Sequence, residues 1–353
     1  MPTCIYCTVT TLDPEYRKRE HVMPQAFGVF RPHNLLLRKE VCEDCNANFG
    51  EELEVKGTRA SVEGIHRFTA AKLMGTDSFL KMPKGRVRWE VEDPGWKDLK
   101  THLEEGEDGE VEIRYKPQVL VTYEDGTKKT FLPEDITDIG QFDKAKGYRA
   151  FIVSLEDAKV IREALGRVGV TPSWGEIKEM PNDGTNTVST TAYIVYDDIT
   201  RRLMAKIVFN YLAYHAGGSF VLKPEFDAIR RFIRYGEGKG EELVANTEEA
   251  FLQEEKGAAG WYLTDDHLVG VRPSTAGGVL GDVAIFNLIH YHVLLSRTDA
   301  GLNLLPKRAF GSAFSWKMGT IDSLLAWDED NIVQPFSVLA KRYAKQKGWR
   351  RRR

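Results

Sequence analysis

Apolar positions change their period several times along this chain. Between Arg19 and Val41 they fall in two short alternating runs, Arg19–Met23 and Leu35–Val41, which predict two strands. Glu43 to about Glu54 then takes helical spacing, which resumes weakly past Gly57 and Gly64 with Ile65, Phe68 and Leu73. Alternation returns at Arg86–Val91, Val111–Tyr115, Val119–Tyr123 and Thr130–Leu132, the last two flanking a Glu124-Asp125-Gly126-Thr127 turn that predicts a hairpin. Tyr148–Leu155 reads as a strand, Glu156–Val168 as a helix and Val188–Tyr196 as another strand. Over Thr200–His215 the apolar residues Leu203, Ile207, Tyr211 and Leu212 share one face, predicting an amphipathic helix. Pro224 and Gly236 bracket a further helix, Glu225–Tyr235. The last third predicts a peripheral helix within 237–258, strands at Trp261–Leu263, Leu268–Val271 and Val283–Leu295, and a helix near Phe336–Gln346.

This succession predicts an α+β protein without internal repeats. The expected boundaries are a small N-terminal module at 1–56, a connecting helical segment at 57–80, a larger mixed α+β body at 81–340 and a basic tail at 341–353. A chain of 353 residues has room for two or three domains, each with its own core. Met82-Pro83-Lys84-Gly85 marks a linker.

Charge narrows the partners. A net charge of -3 argues against coating nucleic acid by bulk electrostatics, so affinity for phosphate must come from local clusters. Arg17, Lys18 and Arg19 form one, and residues 201–234 hold seven basic residues against two acids. The tail 341–353 carries eight Lys or Arg and no acid. Each competes with the plainer reading of a solvated surface. No apolar stretch approaches the roughly 18 residues of a membrane span, and the N-terminus lacks the features of a secretory signal. The expectation is a cytoplasmic protein.

Four cysteines, all in C-x2-C couplets, carry the strongest chemical signal. Cys4 and Cys7 form one couplet, Cys42 and Cys45 the other. In a reducing compartment this pattern predicts a closed four-thiolate zinc site rather than disulfides. The 34 residues between the couplets exceed the roughly 15–20 of common four-cysteine ribbons, so a whole hairpin must fold inside the loop. A module of this size has little core, and zinc offsets the deficit by roughly 10 kcal/mol or more. Inside the loop lies Glu20-His21-Val22-Met23-Pro24, then Gly28 and Asn34-Leu35. His21 is a candidate general base because an ordinary imidazole titrates near 6.5.

Together the residues C-x2-C, E-H-V-x-P-x-x-x-G, N-L and C-x2-C-N resemble the HNH endonucleases with a ββα-metal, treble-clef-like core, over about the first 55 residues. The resemblance implies that His21 activates water and that Asn34 orients the base and its loop. It also implies that Glu20 and Asn46 ligate a catalytic divalent metal. Where many members have a second His, this chain has Asn46, which favours Mg2+ or Mn2+ over softer metals. Asn48 is the fallback for that position, and His33 competes with Asn34 in orientation.

The implied function is a metal-dependent endonuclease acting on double-stranded DNA, with a restriction or phage-defence role, a structural Zn2+ and Arg17, Lys18 and Arg19 against phosphates. Two alternatives stand beside it: a zinc-stabilised nucleic-acid-binding module without catalysis, and an RNA-directed nuclease. In the body, the helices within 201–235 are read either as a phosphate-contacting face or as the outer face of a packed layer. His290 and His292 alternate on one strand face, where the default is half-buried strand residues rather than a second metal site. The acidic run Glu104–Glu110 reads as an exposed loop.

Overall fold

The computed structural model describes residues 1–10, 19–31, 35–81, 86–91, 99–105, 111–152, 154–171, 190–247, 266–274, 276–298, 300–301 and 310–325. The chain is mixed α+β and divides into two compact units, one made of Met1–Gly75 with Tyr196–Arg353, the other of Thr76–Val195. The first unit is therefore discontinuous in sequence, with breaks at other places than 56 and 80.

At the N-terminus, strand β1 (Glu20–His21) pairs antiparallel with β2 (Leu36–Leu37), matching Glu20 to Leu37 and His21 to Leu36. Val22 N–H extends the ladder to the Leu35 carbonyl at 3.0 Å. Pro24 ends the strand by opening a single 3-10 turn, Gln25–Phe27. Gly28 follows with φ +141, and a Cβ there would press within 3.1 Å of the Phe30 ring, so glycine is required on both counts. Helix α1 (Glu43–Asn48) begins at Cys42 and runs into a π-helical stretch, Phe49–Glu54, in which Val55 N–H reaches back five residues to the Gly50 carbonyl. The predicted hairpin-then-helix is thus present, with a wider final turn that the sequence period did not indicate. Helix α2 (Val62–Thr69) follows, capped by the Ser61 hydroxyl accepting from Gly64 N–H.

The second unit contains strands β3 (Val87–Val91), β4 (Thr101–Glu105), β5 (Val111–Tyr115), β6 (Gln118–Tyr123), β7 (Lys128–Phe131), β8 (Ala145–Phe151) and β9 (Thr190–Ile194). β6 is the centre of a three-stranded antiparallel sheet, β7-β6-β8, while β3 pairs with β9 and β4 with β5. Helix α3 (Leu155–Arg167), capped by Ser154, supplies Ile161, Ala164 and Leu165 to a core with Val119, Val121 and Ile136. The predicted β6–β7 hairpin is closed by Gly126 at φ +83 and by Asp125, whose carboxylate accepts from Thr127 N–H. The linker Met82–Gly85 and most of the acidic run lie outside the described residues.

The first unit resumes with helix α4 (Asp198–Ala216), a one-turn helix at Gly218–Val221 and helix α5 (Asp227–Tyr235). Asp197 caps α4 by accepting from Ile199 and Thr200 N–H. α5 ends at Gly236 in the left-handed conformation. A six-stranded antiparallel sheet completes the unit in the order β10-β13-β12-β11-β14-β15. Its strands are β10 (Val244–Thr247), β11 (His267–Pro273), β12 (Val279–Ile285), β13 (Ile289–Ser296), β14 (Phe310–Ser315) and β15 (Thr320–Leu325).

Three expectations change here, and two strands are added. The single long strand Val283–Leu295 is two strands, because Phe286 and Asn287 both adopt positive φ and make a tight turn closed by Leu288 N–H to the Ile285 carbonyl. A turn of that kind ordinarily announces itself with Asn-Gly, and Phe-Asn hid it. Within the described part of 237–258, residues 237–247, a single helical turn leads into strand β10, and 248–258 lie outside the described residues. β14 and β15 were not predicted; β14 carries Gly, Ser and Ala between its aromatic residues, and β15 reads Thr-Ile-Asp-Ser-Leu-Leu. Helix α4 is buried on every side from Leu203 to Ala213, not along one face, because it lies between the sheet and the N-terminal hairpin. The Trp261–Leu263 strand, the Phe336–Gln346 helix and the basic tail fall outside the described residues.

Candidate metal centre and the His21 site

The first couplet sits in a knuckle. Thr8 N–H bonds the Cys4 carbonyl and Cys4 N–H the Val9 carbonyl, with Thr8 in the left-handed region and Thr3 bridging Thr10. The second couplet opens α1, so Cys42 precedes the helix and Cys45 lies within its first turn. Ile5 N–H to the Glu40 carbonyl, at 2.8 Å, draws the two segments together. The four sulfurs all come within 4.8 Å of one another, and Cys7 and Cys42 Sγ are 3.7 Å apart.

Thiols this close share their protons unevenly. A hydrogen bond from Cys45 pulls Cys4 down to about 5. Burial pushes Cys42 up to about 12, and Cys45 rises further because it donates to Cys4. Cys4 ionises readily while Cys42 and Cys45 resist it, because negative sulfurs packed this closely repel one another. A divalent ion bound by four sulfurs removes that conflict, and the donor set is the one zinc takes in closed structural sites. Two groups already soften the charge: Cys42 N–H points at Cys4 Sγ at 3.5 Å and Arg234 Nε donates to Cys45 Sγ at 3.2 Å. The four cysteines are close enough to bind a metal and fit structural zinc.

Behind the knuckle, Tyr6 inserts into the core. Its hydroxyl donates to Asn210 Oδ1 at 2.5 Å, and its ring lies edge-on to Phe49 with centroids 4.6 Å apart. This fixes the hairpin to α4.

Successive residues on a strand point to opposite faces, and Glu20 and His21 do so. Glu20 is buried, 4% exposed, and its Oε1 accepts from the ammonium of Lys206 and, at 2.9 Å, from Asn210 Nδ2. Lys206 is fully buried in α4 and donates also to Glu54 Oε1 at 2.8 Å. Burial works against the charge on Lys206, but Glu20 and Glu54 outweigh it and raise its pKa. Burial likewise lifts Glu20 above the ordinary carboxylate range, partly opposed by Lys206. The wide π-helical turn carries Glu54 to this ammonium.

His21 is half-buried, and its Nε2 lies 3.0 Å from Gln25 Nε2. An amide nitrogen only donates, so Nε2 of His21 is the acceptor and Nδ1 carries the proton. Burial lowers its pKa, with Lys206 adding to the effect and Glu54 opposing it. Near neutral pH the imidazole is uncharged with a lone pair on Nε2, the form a general base requires.

The structure thus brings Glu20 and His21 onto one strand beside the cysteine cluster and Asn46 onto α1. The Oε1 of Glu20 is held by Lys206 and Asn210, two partners that the sequence alone did not indicate. Asn46 has its Nδ2 buried without a partner, whereas the corresponding orphan on Asn48 is the oxygen Oδ1. A hard divalent cation takes oxygen donors, so at Glu20 it would compete with the Lys206 ammonium for the carboxylate. Asn34, His33, Arg17 and Lys18 lie outside the described residues; Arg19 is exposed.

The basic cluster 201–234 is largely internal. Arg202 donates to the carbonyls of Ile233 and Arg234 at the end of α5, where the helix dipole is negative. Arg230 bonds the Val221 and Lys223 carbonyls, and Lys223 the Ala300 carbonyl. With Lys206 buried against Glu20 and Glu54, four of the seven cations are bonded to groups within the protein.

Sequence reasoning missed Lys206, Asn210 and Glu54. A signal existed: Lys206 and Asn210 stand one helical turn apart inside Leu203-Met204-Ala205-Lys206-Ile207-Val208-Phe209-Asn210-Tyr211, where apolar residues occupy every face. Compared with protein-family models, curated proteins and solved structures, the chain matches none of them.

Proposed function

We propose that the N-terminal module is a nuclease of the ββα type, hydrolysing phosphodiester bonds of DNA with His21 as general base. What carries this reading is a neutral, half-buried His21 with its acceptor nitrogen Nε2 directed away from the core, on a hairpin pinned between the four-cysteine cluster and α4. Zinc at the cysteines would hold the hairpin against α1. His21 Nε2 would take the proton of the attacking water once water displaces the Gln25 amide. A catalytic Mg2+ or Mn2+ at Glu20 and Asn46, which the HNH resemblance implies, would compete with the Lys206 ammonium for the carboxylate of the Glu20–Lys206 ion pair.

That same ion pair favours a second reading, a zinc-stabilised nucleic-acid-binding module without catalysis. The two separate in one experiment. Supercoiled plasmid, linear duplex and RNA are incubated with wild-type protein and with His21→Ala, with Mg2+, with Mn2+ and with a chelator. Nicking of plasmid by the wild type alone supports the nuclease, and faster loss of RNA redirects it to RNA. Binding without cleavage in every condition selects the second reading.

A further inference from the structure

Asp282 stands on β12, and its register partner on β13 is His292, with His290 two residues before. All three side chains therefore leave the sheet on one face, opposite the face on which Gly281 and Val283 meet α4. Asp282 Oδ1 lies 2.7 Å from His292 Nδ1 and 3.1 Å from His290 Nε2, and the two imidazole centroids are 4.0 Å apart. The other carboxylate oxygen, Oδ2, accepts from Arg272 Nε on β11 at 2.8 Å. Asp282 is 1% exposed, while the His292 side chain is one-third exposed.

We propose that Asp282, His290 and His292 bind a divalent transition metal of the zinc class, separate from the cysteine site. Two imidazole nitrogens and one carboxylate oxygen, all within 4.8 Å of one another, make a donor set zinc takes where three protein ligands leave a fourth position open. Tetrahedral donors about 2.0–2.1 Å from the ion stand roughly 3.3 Å apart, so the two measured separations open by only ~0.2–0.6 Å to admit it. Each imidazole would turn an unprotonated nitrogen to the ion and carry its proton on the other ring nitrogen. Arg272 fixes the carboxylate through the oxygen that would not ligate, as groups behind a metal ligand commonly do. Access beside His292 leaves the fourth position to water. The hairpin turn at Phe286-Asn287 sets the register that brings Asp282 opposite His292; a one-residue slip would send Asp282 to the other face.

The test is metal content of the full chain, independent of any nuclease activity. Protein stripped with a chelator under reductant is reloaded with excess Zn2+, desalted and assayed for zinc and protein. The proposal expects about two zinc ions per wild-type chain and about one in His292→Ala, the ligand whose exposure makes its removal least disruptive. Cobalt loading assigns the sites: the near-ultraviolet thiolate-to-cobalt band stays in His292→Ala and is lost in Cys45→Ser. A wild-type chain that holds one zinc, or a His292→Ala chain that still holds two, overturns it. Asp282→Asn, checked for its fold by circular dichroism, must lose the same ion.

Discussion

The carboxylate of Glu20 is bonded to the ammonium of Lys206, 186 residues away in sequence and entirely enclosed. This pair decides how the N-terminal hairpin is seated. Lys206 comes from the middle of the central helix, Glu20 from the first strand, and Glu54 closes the triad from the π-helical turn. Removing water from three charges is costly, and the geometry compensates only while all partners are present.

Lys206→Met is therefore expected to destabilise the protein by about 3–5 kcal/mol, because Glu20 is left enclosed without its counter-ion. Urea unfolding followed by tryptophan fluorescence reads the loss. The double variant Glu20→Gln with Lys206→Met should recover part of it. A double variant less stable than the single one would contradict the pairing.

Zinc removal should act locally first. Cys4→Ser or Cys45→Ser is expected to lower bound zinc and unfold the hairpin, since the metal stands in for a core that the segment lacks. Proteolysis within residues 8–41 should accelerate on treatment with a strong chelator. Full zinc content with unaltered thermal unfolding in either variant would remove that cysteine from the site.

His21 should titrate below the ordinary value of 6.5, as burial disfavours its charged form. Below 6.5 the unfolded chain takes up a proton that folded His21 refuses. This contribution therefore lowers stability as pH falls from 6.5 through the depressed folded value, and it vanishes above 6.5. Imidazole chemical shifts followed between pH 4 and 8, with His21→Gln for assignment, measure the midpoint. A His21 midpoint above 6.5 would refute the burial argument. If cleavage is found, its acidic limb should follow the same midpoint.

Gly281→Ala tests the seat of the central helix on the sheet. A Cβ at Gly281 would fall inside the van der Waals radius of Val208 Cγ1 on α4. The expected cost is about 1–3 kcal/mol from overpacking. Combining it with Val208→Ala should return most of that. Thermal unfolding of the single and double variants gives the comparison.

Much of this was legible in the residues themselves. Cysteine spacing announced a thiolate site, and the short alternating runs around Glu20-His21 and Leu35–Val41 announced the hairpin, because both signals are local and repeat within a few residues. Pro24, Gly28 and Gly236 marked breaks for equally local reasons: proline fixes φ, and glycine alone enters positive φ without strain. The β6–β7 turn at Asp125-Gly126 was equally plain.

Sequence by itself, then, determined the α+β character, the four-sulfur cluster and the hairpin-then-helix around His21, through covalent and short-range preferences. Tertiary structure alone decided which charges face inward. Nothing near Glu20 tells it to pair with Lys206, and nothing near His290 tells it that Asp282 waits on the next strand. Arg202 and Arg230 look like surface cations until the ends of neighbouring helices supply carbonyls for them. Long-range packing sets the local dielectric and the partners available, and those two quantities fix whether a charged side chain is a ligand, a tie or a solvated group.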